Sequence, residues 1–318
     1  MSAGKIWSVE DNLRQMQVSD DAYNARDIAR FNHRDDARMH MPGGVEMDMD
    51  AHVNDILAGL AAFPDLRPHN HDYKIAFGEG EWTFAVADVT ATNTGPVMGP
   101  SGKFVPPTGK PVAFEMATAA RWIEGRILEE YVWTDTPRML RQLGLLPSPL
   151  PAEPTVGLAL GSAIPLTARP GTDAVAENKA RMKDSDDAWN AGELNAESLH
   201  FAPDILVYGL DEKPLGLDEY LGYVGLYRAA FPDLAIGNDP YVHIIGSGDW
   251  TVTIARSAGT HTGPLPLPDW VAPEPLPATG KRVDVPQYTA ARWQDGKITH
   301  LKVMSDLFAL AGQLGLGS

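Results

Sequence analysis

With 318 residues, 44% of them hydrophobic, the chain is long enough to bury one large core or two ordinary ones. A net charge of −16 and a pI near 4.9 exclude a nucleic-acid backbone or an anionic membrane surface as the expected partner, because both repel the chain at long range. The absence of cysteine excludes disulfides, thiolate nucleophiles and Cys-ligated metals; with no signal-peptide core in MSAGKIWSVEDN and no apolar run of about 18 residues, the expectation is a soluble cytoplasmic protein.

From the N-terminus, apolar residues recur at helical spacing from Ser8, a plausible N-cap, to about Phe31, which predicts a long first helix. Asp20 and Asp21 within it read as a solvated face. A second helix is expected in HVNDILAGLAAF, capped by Asp50 and stopped by Pro64. The HNH run at 69 to 71, taken with His52 and His33, reads as exposed loop histidines and not as a metal site, since no ligand spacing is fixed. Alternating runs follow: YKIAF, WTFAVADVTATNT, PVAFEMATAARW and RILEEYVW, the last two joined by Glu-Gly at 124 to 125, a strong hairpin signal. Between the middle runs, GPSGKFVPPTGK (99 to 110) lacks the spacing of a phosphate loop and reads as a proline-stiffened loop that could serve as a lid. The last strand then runs to Asp135 and a helix ending in Gln-Leu-Gly.

The same order is then written a second time. SDDAYNA (19 to 25) returns as SDDAWNA (185 to 191), AAFPDL (61 to 66) as AAFPDL (229 to 234), PTGK (107 to 110) as ATGK (278 to 281), AARW (119 to 122) as AARW (290 to 293), and RQLGLL (141 to 146) as GQLGLG (312 to 317). Asp218 matches Asp50 as the expected cap, and the loop at 263 to 281, with Trp270, matches 99 to 110. The organisation is therefore a first domain at 1–147, a Pro/Gly/Ala-rich linker at 148–172 and a second domain at 173–318. Helices followed by antiparallel strands make each an α+β unit, with N-terminal helices covering a curved, mainly antiparallel sheet.

Strand alternation puts Glu129, Tyr131, Trp133 and Asp135 on one face, and His300, Lys302, Met304 and Asp306 on its counterpart. An Asp between a strand and a helix is most often an N-cap. Pro137, however, prefers the first helical position, which makes Thr136 the natural cap; Ser305 can cap the second copy. A carboxylate beside Tyr131 and Trp133 would have a raised pKa and could act as a general base toward a carbon acid.

Each half resembles the SnoaL-like polyketide cyclase (ester cyclase) family, whose fold is the cone named after nuclear transport factor two. The resemblance rests on Tyr23-Asn24-Ala25 and Trp189-Asn190-Ala191, then FPDL, GTHTG (259 to 263), TGK, RW before a Gly turn, and an Asp before a helix ending QLG, over about 140 residues of each half. It implies intramolecular aldol closure on an enolisable, polyketide-like carbonyl substrate, with Asp135 and Asp306 as acid/base and no metal or organic cofactor. It further implies that His261, or Asn93 in the matching column, hydrogen-bonds an enolate oxygen. His40 and Tyr208 share another column and could donate a proton. The substrate pocket would draw on Asn93, Glu129, Tyr131, Trp133, Tyr208, Gln287, Tyr288, His300 and Met304. The family often has a His on the strand before the final hairpin; here Met116 and Gln287, or Ala117 and Tyr288, stand in its place. The two copies are expected to form an internal pseudo-dimer, open to further homo-oligomerisation. Two other readings remain: a binding protein without turnover, and a hydrolase or isomerase using the same pocket.

Overall fold

A computed structural model describes residues 5–71, 73–99, 103–146, 173–210, 213–266 and 274–316. The chain divides into two compact units, one running to Leu145 and the other from Arg169 to the C-terminus. The expected linker at 148–172 lies outside the described residues, as does Trp270.

The first unit runs α1 (Val9–Asn24), β1 (His33–Met41), β2 (Val45–Met47), α2 (Met49–Ala62), β3 (Arg67–Pro68), β4 (Ile75–Glu79), β5 (Trp82–Thr92), β6 (Val97–Met98), β7 (Phe104–Val105), β8 (Pro111–Ile123), β9 (Arg126–Thr134) and α3 (Thr136–Leu143). The second runs α4 (Asp173–Ala191), β10 (Phe201–Tyr208), α5 (Leu217–Ala230), β11 (Ala235–Ile236), β12 (His243–Ser247), β13 (Trp250–Thr260), β14 (Arg282–Gln294), β15 (Lys297–Ser305) and α6 (Leu307–Leu314). Both sheets are mixed: β1 lies parallel to β9, and β10 parallel to β15, while the other pairings are antiparallel. This is the expected α+β architecture, written twice. Among the described residues, no helix is long and apolar enough to cross a membrane.

Ser8 caps α1 through a reciprocal bond with Asp11, as its position predicted. Several helix boundaries differ from the sequence reading. The first helix stops at Asn24, not near Phe31, because Arg26 turns to a left-handed φ of 61°. Its counterpart α4 stops at Ala191, before Gly192 at φ 81°. That frees HRDDARMHM to form β1, a strand whose polar composition hides it. The second helix is capped by Asp48, whose carboxylate accepts from the Ala51 amide, and not by Asp50. In the second unit Gly216 is the cap and Glu219 reaches back to its amide at 2.8 Å, so Asp218 is not the cap either. The two hairpin links do carry the expected double left-handed turn, with Glu124 and Gly125 at φ 54° and 76°, and Asp295 and Gly296 at 50° and 73°.

The repeated motifs hold this framework together. Asn93 is fully buried; its Oδ1 accepts from the Thr108 amide (2.7 Å) and hydroxyl (3.0 Å), and its Nδ2 donates to the carbonyls of Ala62 and Gly95. Lys110 then donates to the Leu143 carbonyl at the end of α3, as Lys281 does to Leu314. Gly95 and Gly263 admit no side chain, since a Cβ would stand 2.0 and 2.2 Å from the carbonyl oxygens of Ala61 and Ala229. Gln142 bonds both backbone groups of Ala113, and Gln313 both of Asp284.

Candidate functional site

Cross-strand partners share a sheet face, so register decides which residues meet the helices. Glu130 pairs with Ala120, and Ala120 packs with Leu13 and Met16 of α1. The helix-covered face of β9 therefore presents Glu130, Val132 and Thr134. Glu129, Tyr131 and Trp133 point to the opposite face. In β15, Leu301 and Val303 pack against residues of α4 and α5, which leaves His300, Lys302 and Met304 on the opposite face. The aromatic and ionisable mixture singled out from the sequence is thus real but lies on the side of the sheet away from the helices.

There it forms its own cluster. The Tyr131 hydroxyl donates to Glu129 Oε1 at 2.9 Å, His40 Nε2 is 3.2 Å from the same oxygen, and the His40 ring stacks on Tyr131 at 4.1 Å. Tyr208 and His300 stack at 6.3 Å in the second unit, and Tyr288 pairs with Met304. Of the residues named from the second copy, Gln287 is the one that faces the helices, where Ser257 and Ser305 donate to its Oε1 at 2.7 and 3.3 Å.

Asp135 and Asp306 are the N-caps of α3 and α6. Asp135 Oδ1 accepts from the Arg138 amide at 3.2 Å and Asp306 Oδ1 from the Ala309 amide at 2.8 Å. The inference that Thr136 caps in place of Asp135 fails, because Thr136 is itself the first helical residue and Pro137 the second. His261 repeats the part of Asn93: it is fully buried, its Nδ1 accepts from the Thr279 amide at 3.2 Å and lies 3.0 Å from the Thr279 hydroxyl, and Phe231 stacks on its ring. Burial lowers its pKa. Asn93 and Nδ1 of His261 fasten loops, while Nε2 of His261 is buried without a hydrogen-bond partner.

The titratable groups that do face the interior are others. In the first unit, Tyr73 donates to Asp20 at 2.5 Å, and His33 Nε2 meets Glu130 Oε2 at 3.0 Å with both residues buried. The His33 and His52 rings lie 5.4 Å apart. Nδ1 of each is buried without a hydrogen-bond partner. Burial pushes Asp20 up to about 7, with the Glu130 charge adding to the rise and the Tyr73 hydroxyl opposing it. Burial also raises Glu130, but the hydrogen bond and charge of His33 outweigh it and hold the carboxyl below its ordinary value. His52 is lowered by burial, against the attraction of Glu130. Asp20 was expected on a solvated face and His33 and His52 among loop histidines; the structure turns all three inward, while His69 and His71 are exposed.

The second unit keeps half of this arrangement. Tyr241 donates to Asp186 at 2.7 Å, and burial pushes Asp186 up to about 7. At the positions of His33, His52 and Glu130 it has Phe201, Tyr220 and Leu301, fixed by register and by matching places in α2 and α5. Phe201 and Tyr220 meet edge to face at 5.6 Å within an apolar cluster that includes Leu301. The signal that could have found the site is this difference between copies, read along the faces that α1 and α4 cover.

The family model for SnoaL-like polyketide cyclases matches residues 7–143 and again 180–314. Among solved structures, AclR of Streptomyces galilaeus is 25% identical over 44% of this chain and 100% of its own, with a TM-score of 0.39. IdmH of Streptomyces antibioticus is 25% identical over 42% of this chain and 98% of its own, with a TM-score of 0.37. A SnoaL-like protein of Jannaschia sp. CCS1 is 19% identical over 46% and 96%, with a TM-score of 0.38. No curated protein matches the chain.

Proposed function

Because the chain belongs to the SnoaL-like polyketide cyclase family in both of its halves, we propose that it is a small-molecule enzyme that moves a proton at an enolisable carbonyl, and that the first unit performs the reaction. One observation carries the reading: the first unit gathers Asp20, Tyr73, His33, His52 and Glu130 inside its helix-covered face, whereas the second has Phe201, Tyr220 and Leu301 at three of those five positions.

Asp20 is the proton-transfer group. A carboxyl near 7 is present in both forms at neutral pH, so it can take an α-proton and return it. As the C–H bond breaks, its electron pair moves to the carbonyl oxygen; the resulting enolate carbon closes the ring by attacking a second carbonyl, and the proton returns to the new alkoxide. Glu130 engages Nε2 of His33, so Nδ1 of His33 and Nδ1 of His52 are the ring positions open to an oxygen. Either, carrying hydrogen, stabilises the charge that develops there. The second unit retains the acid without the groups that would hold the oxygen. Its apolar interior favours binding without turnover.

The test is α-proton exchange of β-keto esters and polyketide-like esters in deuterated water. Asp20→Asn and Glu130→Gln should slow it by about 100-fold or more, while Asp135→Asn and Asp306→Asn should leave it unchanged. Exchange indifferent to Asp20 and Glu130 would sink the proposal, and loss with Asp135→Asn would return the acid/base role to the helix cap.

A further inference from the structure

His33 comes from β1, His52 from the first turn of α2 and Glu130 from β9. Each offers one ligand atom, and the three atoms lie within 4.8 Å of one another. All three residues are at least nine-tenths buried, with exposures of 8%, 7% and 9%. Three elements distant in sequence thus converge on one point with two imidazoles and a carboxylate. A buried ring nitrogen without a partner is costly, and this cluster contains two.

The fold does not require these residues. The second unit fills the same three positions with Phe201, Tyr220 and Leu301, and they pack there as ordinary core. What the first unit has in addition is a buried His33–Glu130 hydrogen bond flanked by two ring nitrogens, Nδ1 of His33 and Nδ1 of His52, that have no partner inside the protein.

From this we infer that His33, His52 and Glu130 of the first unit form a binding site for a first-row divalent cation of the Zn2+ class. Two imidazoles and one carboxylate are a donor set that suits zinc and leaves a fourth position for water or a substrate oxygen. Ligand atoms about 2.0 to 2.2 Å from a tetrahedral ion stand about 3.4 Å apart, inside the 4.8 Å that bounds the separations here, so rotation about the side-chain bonds suffices to close the three donors on an ion. Nitrogen and oxygen donors without thiolate favour Zn2+, Co2+, Ni2+ or Cu2+ over Mg2+ or Ca2+. The cation would take over the task of holding the substrate oxygen and leave Asp20 to move the proton. The inference rests on the first unit's interior being the functional site, and it departs from the metal-free chemistry that the family resemblance implies.

Co2+ absorption and Zn2+ calorimetry on the chelator-stripped full chain test it. One Co2+ per chain with visible bands of a low-coordinate site is expected. Glu130→Gln should weaken binding tenfold or more. The triple variant His33→Phe, His52→Tyr, Glu130→Leu borrows residues already packed at these positions in the second unit, and it should abolish binding while keeping the native circular dichroism. His69→Ala with His71→Ala should change nothing. Absence of saturable binding, or a stoichiometric site that survives the triple variant, overturns the inference. Binding is read without reference to turnover. Proton exchange by the metal-free chain with no cation bound on titration would overturn the metal site alone, and cation binding without exchange on any ester would overturn the catalytic reading alone.

Discussion

Asp20 and Asp186 occupy the same place in the repeated SDDA run, the first half-buried and the second buried, and each is hydrogen-bonded by a tyrosine more than 50 positions away. That distance is why the sequence misplaces them: helical periodicity marks a polar residue as outward unless its remote partner is known. The energetic consequence is clearest at Asp186, which lies outside the histidine cluster. Its carboxyl rises from 3.8 to about 7 on folding. A raised folded value means that the contribution is fully present below the unfolded pKa and is lost as pH climbs through 7. A rise of that size corresponds to up to about 4 kcal/mol. Asp186→Asn keeps an acceptor for the Tyr241 hydroxyl without the titration, so it should stabilise the protein at pH 8 and have little effect at pH 4. Urea unfolding at the two pH values measures the difference; an equal effect at both would refute it.

At the level of elements, the strands, the hairpins and the order of helices and sheet were legible, because alternation, X-Gly links and the internal repeat all agree. β1 was not: HRDDARMHM becomes a strand because β9 offers it a parallel edge, which no local pattern announces. The motifs that identify the family proved to be fasteners, with Asn93 and His261 as interchangeable pieces. His261→Asn should therefore cost less than about 1 kcal/mol, whereas His261→Ala leaves buried partners unsatisfied and should cost about 1 to 3 kcal/mol. Chemical denaturation of both variants decides it, and equal losses would mean that the ring itself, stacked on Phe231, is what the fold needs.

Across the whole molecule, the two units share their elements and register and differ in the buried titratable cluster of the first, which the second fills with Phe201, Tyr220 and Leu301. The candidate site was less legible than the fold because strand register, and not spacing along the chain, brings His33 and Glu130 together with His52 of α2. Replacing a buried cluster of titratable groups by well-packed apolar residues is often neutral or stabilising by about 1 to 4 kcal/mol. The triple variant His33→Phe, His52→Tyr, Glu130→Leu is thus expected to unfold at equal or higher denaturant than the parent while losing proton exchange. A loss of stability would show that the polar cluster also holds the first unit together.

The closing segments of the two units agree residue for residue: strands of 13 and 9 residues and a helix of 8, in the same order and register. Exchange of 111–143 with 282–314 preserves length and reading frame, and in one step it would move Glu130 into the second unit and Leu301 into the first. Such an exchange would carry Glu130 away from its partners, since His33, His52, Asp20 and Tyr73 all lie outside the exchanged stretch, so the buried cluster can pass between the halves only as a property of a whole domain.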